Sequence, residues 1–225
     1  MKYMTKRKRI YKKLFPPLPP LIPVQHSLPE KTMHELLSLY ARLSDKDPMV
    51  ADQAYDDILF NENPQTLAFL MERFVTESND FLVCCILQLL AFRSSQPKPS
   101  KPNKRGGWDC RPQGTLTLQS VVRTCISGLS SIDPSVRREA CRSLRDLCDH
   151  NITSVELLHS LRNQNIPHVL ANKTLVAEIL EALNTAGQDF DALVQEVAMD
   201  ALQDVQADKK AFDKLTATHQ IAHWQ

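Results

Sequence analysis

Residues 133–144 read Asp-Pro-Ser-Val-Arg-Arg-Glu-Ala-Cys-Arg-Ser-Leu. Proline suits the first position of a helix, because its missing N–H would find no partner there anyway. From that start, Val136, Ala140, Leu144 and Leu147 project to one side at about 100° per residue. Arg138, Arg142 and Arg145 fall on the opposite side, within about 60° of one another. The stretch 134–149 therefore reads as a helix with an apolar side to bury and an arginine side to present.

The same spacing recurs outward along the chain. Asp47-Pro48-Met49-Val50 opens a second copy, with Ala54 and Ile58 four and eight residues after the valine. Val194, Ala198 and Leu202 repeat it after Asp191, and Val83, Leu87 and Ala91 repeat it with the sizes exchanged. Small residues at the middle position let two helices approach closely while the flanking aliphatics fill the space. Val50 and Val83 lie 33 residues apart, and Val83 and Val136 lie 53 apart, or about 33 without an intervening loop.

Helical periodicity fills the remainder. Helices are predicted over 32–43, 49–60, from Asn63-Pro64 onward, 81–92, 115–129 and 134–149. A short one is predicted over 153–162, then an interruption at Pro167, then 172–184, 189–206 and a weaker 208–222. Residues 81–92 (FLVCCILQLLAF) are apolar nearly all round, which suits a helix covered on several sides. Five glycines in 225 residues disfavour folds made of tight turns and phosphate-binding loops.

The net charge of +1 hides a segregation. Residues 1–13 carry Lys2, Lys6, Arg7, Lys8, Arg9, Lys12 and Lys13 with no acid. Residues 16–23 (PPLPPLIP) predict an extended polyproline-like strap. The stretch 93–112 holds six basic residues, Arg93 among them, against Asp109, and reads as a mobile loop. These two basic segments sum to +12 and the helical remainder to about −11. The organisation predicted is a tail (1–30), first helices (31–93), a basic loop (94–113) and remaining helices (114–225).

The run D-P-x-V-R-x-x-A-x-x-x-L at 133–144 resembles the second helix of a HEAT repeat. The turns NENP, ESND and NTAGQDFD are similar to the links between HEAT helices, and the resemblance covers about residues 31–206. The register departs at 150–175, where an extra short helix is similar to a three-helix armadillo repeat. The resemblance implies an all-α fold: a short right-handed α-solenoid of antiparallel helix pairs, about four repeats, behind an extended basic and proline-rich tail. It also implies that second helices line a concave face, which puts Arg138, Arg142 and Arg145 there. Function varies widely within this class, which includes scaffolds, transport receptors and axonemal proteins.

Motifs for chemistry are missing. The sequence has no H-E-x-x-H, no G-x-S-x-G, no P-loop and no C-x-x-C pair, and its seven histidines are scattered. Cys84 and Cys85 read as small hydrophobes in an apolar helix, and Asp56, Asp57, Asp189 and Asp191 as surface or turn acids. No catalytic residue, metal ligand or cofactor is expected. No apolar run of about 18 residues exists and the basic N-terminus lacks a signal-peptide core, so neither a membrane span nor secretion is expected. The sequons at Asn151 and Asn172 are therefore expected to be idle.

Binding is the function left. The tail has three readings: a nuclear localisation signal (Lys6, Arg7, Lys8, Arg9), a nucleic-acid arm, or an arm for an acidic protein surface that also uses Lys12 and Lys13. Lys13-x-x-Pro16-x-x-Pro19 resembles an SH3 ligand, while Leu14, Phe15 and Leu18 equally suit an extended anchor. The expectation is a non-enzymatic scaffold, cytoplasmic or nuclear, that binds acidic protein partners, with tubulin or an axonemal assembly as one setting. The competing class is a nuclear protein that clamps nucleic acid between residues 1–13 and 98–111.

Overall fold

The computed structural model describes residues 30–61, 63, 65–95, 115–149 and 166–222. The elements among them are all helices: α1 (Glu30–Arg42), α2 (Pro48–Leu59), α3 (Thr66–Thr76), α4 (Asp80–Ser95), α5 (Thr115–Gly128), α6 (Pro134–Leu147), α7 (Ile166–Ala186) and α8 (Ala192–Ala222). The all-α expectation is met. The tail, the basic loop and the helix expected over 153–162 lie outside the described residues.

Every second helix starts on a short side chain that accepts from freed backbone N–H groups. Asp47 accepts from Met49, and Asn79 from Phe81. Asp133 accepts from Ser135 and Val136, and Asp191 from Leu193 and Val194. The spacing legible in sequence then buries its residues: Ala54 and Ile58, Val83 and Leu87, Val136, Ala140 and Leu144, and Val194, Ala198 and Leu202.

Neighbouring helices pack as pairs, α1 with α2, α3 with α4, α5 with α6 and α7 with α8. Beyond the pairs, α2 meets α4, α4 meets α6, and α6 meets α8, while α3 meets α5 and α5 meets α7. The apolar α4 contacts α2, α3, α5 and α6, as a helix without a polar side must. Gly128 permits one close approach: a Cβ there would stand 3.1 Å from the Ala140 Cβ and 3.3 Å from a Leu87 methyl.

Three sequence expectations are corrected. The helix expected at 172–184 is longer: α7 begins at Ile166 and holds Pro167 in its first turn, where its lost N–H has no partner to forfeit. The helices expected at 189–206 and 208–222 are one, α8, because no glycine or proline separates them. Arg93, counted with the basic stretch by charge but placed with the first helices by the predicted organisation, stands in the last turn of α4, which runs on to Ser95.

A polar tie joins the first pair to the second. The Tyr40 hydroxyl donates to Glu77 Oε2 at 2.5 Å, and the Tyr40 ring meets Phe69 edge-on at 6.0 Å. That hydrogen bond, helped by the Ser78 and Asn79 N–H groups, holds the Glu77 carboxyl below its ordinary value, against a smaller opposing effect of burial. A depressed carboxyl contributes stability above its unfolded pKa and loses it as pH falls through the lower folded value. Tyr40→Phe is therefore expected to cost about 1–2 kcal/mol at neutral pH. The difference from the parent shrinks below about pH 4. Urea melts of both chains at pH 7 and pH 3 check this; a pH-independent difference contradicts it.

Candidate interaction face

The arginine row of α6 lies where the sequence puts it. The side chain of Arg142 is half exposed, and Arg138 and Arg145 are partly exposed. Their polar contacts are local. Arg138 donates to the Pro134 carbonyl and Ser135 Oγ, Arg142 pairs with Glu139 at 3.3 Å, and Arg145 with Asp146 at 2.9 Å. The Arg145–Asp146 pair, with both side chains partly exposed, contributes about 0–1 kcal/mol and can yield to an incoming carboxylate, whereas Arg142 also covers Glu139, whose side chain is only 9% exposed.

The shared caps allow the second helices to be compared position by position. Five residues past the cap stand Asp52, Cys84, Arg138 and Glu196; nine past it stand Asp56, Gln88, Arg142 and Asp200. All eight are exposed or half-exposed. Charge thus runs in bands from helix to helix: acidic on α2, uncharged on α4, basic on α6, acidic on α8. The α4 band is bounded by Phe81, 61% exposed, and Phe92, 38% exposed.

The bands are neighbours. Burial chiefly, then the charge of Glu139, pushes the Cys85 thiol up to about 11; Cys84 is raised to about 11 by the same two causes in the same order. Burial also raises the Tyr55 hydroxyl, helped by Cys85, Glu139 and Asp56. The charge that reaches these groups from α6 is that of Glu139 on its buried side, and the helices that carry the bands are in contact, α2 with α4 and α4 with α6. Thiols raised this far are protonated at neutral pH and weakly nucleophilic.

Two arginines outside the predicted row prove structural. Arg137 is fully buried, and its guanidinium grips Asp189 through Nε–Oδ2 at 2.8 Å and Nη2–Oδ1 at 3.0 Å. Asp189, expected from its sequence position to be a surface or turn acid, is buried, because it closes the α7–α8 turn against α6. Arg137 lies on the row Cys141, Leu144 and Cys148, all three fully buried; a cation on an apolar row is a signal that a carboxylate must meet it. Arg93 donates to the carbonyls of Ile58, Leu59, Asn61 and Asn63, and burial pulls its pKa down to about 10, leaving it cationic.

The other sequence candidates, Lys6, Arg7, Lys8, Arg9, Lys12, Lys13, Pro16 and Pro19, lie outside the described residues. Among the described residues no group of three or more His, Cys, Asp or Glu could hold a metal ion. No described helix is long and apolar enough to cross a membrane. The chain matches no protein-family model, and no curated protein matches it in sequence. The class that the described residues define is an all-helical protein of packed helix pairs.

Proposed function

We propose that the chain is a non-enzymatic interaction scaffold, built as a short HEAT-like α-solenoid of about four helix pairs. The support for the solenoid is its order of packing: each second helix meets the next, and so do first helices from α3 to α7. The scaffold docks a carboxylate-rich protein surface on Arg138, Arg142 and Arg145, which would form the concave side. The basic arm of Lys6, Arg7, Lys8, Arg9, Lys12 and Lys13 adds long-range attraction. Guanidinium suits this role because its planar fork holds a carboxylate bidentately. An acidic cytoskeletal surface, such as that of tubulin in a microtubule or axoneme, has the matching chemistry. The observation that carries the reading is the arginine row, exposed or partly exposed on α6 and held by contacts within that helix.

The test is the affinity of the full chain for fluorescent polyglutamate. Reversing Arg138, Arg142 and Arg145 to glutamate is expected to weaken binding at least about tenfold, or 1.4 kcal/mol. Wild-type binding should also weaken as salt rises, since exposed charges are screened. Unchanged affinity with an intact helical spectrum overturns the reading. Tighter binding to random duplex than to polyglutamate at about 50 mM salt replaces it with the nucleic-acid clamp.

A further inference from the structure

The banding of the second helices specifies what kind of segment the face accepts, an inference that rests on the scaffold reading above. The uncharged row of α4 begins at Phe81 and ends at Phe92, with Cys84, Cys85 and Gln88 between them. At about 1.5 Å per residue this row is roughly 16 Å long, or three helical turns. Asp52 and Asp56 flank it on α2, and Arg138 and Arg142 on α6, at equivalent distances from their caps. The flanking helices stand two interaxial spacings apart, about 16–20 Å. A ligand helix about 10–12 Å across, with long charged side chains on both edges, fits that width. An extended strand, narrower and alternating up and down, cannot lay an apolar side down and keep two opposite charged edges.

We propose that the α4 row seats an amphipathic helix of a partner protein, apolar side down, with an acidic edge over the α6 arginines and a basic edge over the α2 aspartates. Phe81, 61% exposed, would be its apolar anchor, in the manner of helix-in-groove recognition. Glu196 and Asp200 on α8 lie beyond the arginines and repel an acidic edge that slides too far, which sets the register. Cys84 and Cys85 lie beneath the seated helix, so its arrival should shield them.

Three synthetic helical peptides with one shared apolar side test this against the full chain by fluorescence anisotropy. One has a glutamate edge and a lysine edge, one has glutamate on both, and one has lysine on both. The mixed peptide is expected to bind at least about tenfold more tightly than either other. Arg142→Glu should shift the preference to the all-lysine peptide and Asp56→Lys to the all-glutamate peptide; both positions are exposed, and because Arg142 faces the nearly buried Glu139 carboxylate, the shift counts only with an unchanged helical spectrum and urea midpoint. Saturating mixed peptide should slow alkylation of Cys84, read by mass spectrometry. Equal or tighter binding of the all-glutamate peptide overturns the seated helix while leaving the scaffold reading intact. Failure of every peptide and of polyglutamate to bind removes both. Mixed-peptide binding with unchanged alkylation also overturns the seat. So does binding of neither mixed nor all-glutamate peptide together with self-association lost in Arg142→Glu, which assigns the face to a second copy of this chain.

Discussion

Asp189→Ala is expected to destabilise the fold by about 3–5 kcal/mol, the usual effect of stranding one member of a buried ion pair. The side chains of Arg137 and Asp189 retain only 1% and 2% of their exposure. Beyond its two bonds to Asp189, Arg137 donates through Nη1 to the carbonyls of Ser131 at 3.1 Å and Ile132 at 2.9 Å, and lies 4.8 Å from the Phe190 ring centre. One guanidinium thereby ties the α5–α6 turn to the α7–α8 turn, across 52 residues of sequence. Without Asp189 the cation keeps its carbonyls but has lost its charge partner in a dry site. Replacing both partners with apolar residues of similar volume, Arg137→Met with Asp189→Leu, should recover most of the loss, because neither charge then needs solvation. Urea denaturation of the two single variants and the double variant measures the coupling. Single losses below about 1 kcal/mol show that the pair does not hold the turns together.

Arg93→Met is the second large effect, about 2–3 kcal/mol. The last carbonyls of a helix have no partner within it, and Arg93 supplies donors to those of Ile58 and Leu59 as well as to Asn61 and Asn63 in the turn beyond. Its charge also lies at the negative end of the α2 dipole. Arg93→Lys should recover less than half of the loss, since one ammonium cannot reach four acceptors spread across a planar fork. Thermal melts of both variants check this. Full rescue by lysine indicates that charge alone is required at this position.

The contrast between these arginines and the α6 row shows what is legible in the sequence. Periodicity announces which side of a helix is apolar, so spacing alone places Val136, Ala140 and Leu144 inside and Arg138, Arg142 and Arg145 outside. Caps and prolines announce where helices start, so the α2 and α6 boundaries follow from D-P. The row Arg137, Cys141, Leu144 and Cys148 signals a buried cation, but its partner is not legible, because it stands 52 residues away and a pattern confined to one helix has no view of another chain segment. The structural role of Arg93 escapes the sequence for a related reason. Composition groups it with the basic residues that follow, whereas its partners are carbonyls, which composition never displays. The α8 continuation escapes the sequence pattern because the polar, charged stretch around Asp208–Lys210 reads as a break, although each of those residues tolerates a helix. The charge bands need the caps as a common origin, and Asn79 is recognisable as a cap only through the bond its side chain accepts from Phe81.

Hydrogen exchange with and without polyglutamate tests most directly that the arginine face of α6 is the docking surface. The account predicts slowed exchange in peptides covering residues 134–149, with α8 residues 192–206 unchanged. Binding accompanied by protection on α8, with none on α6, would contradict it.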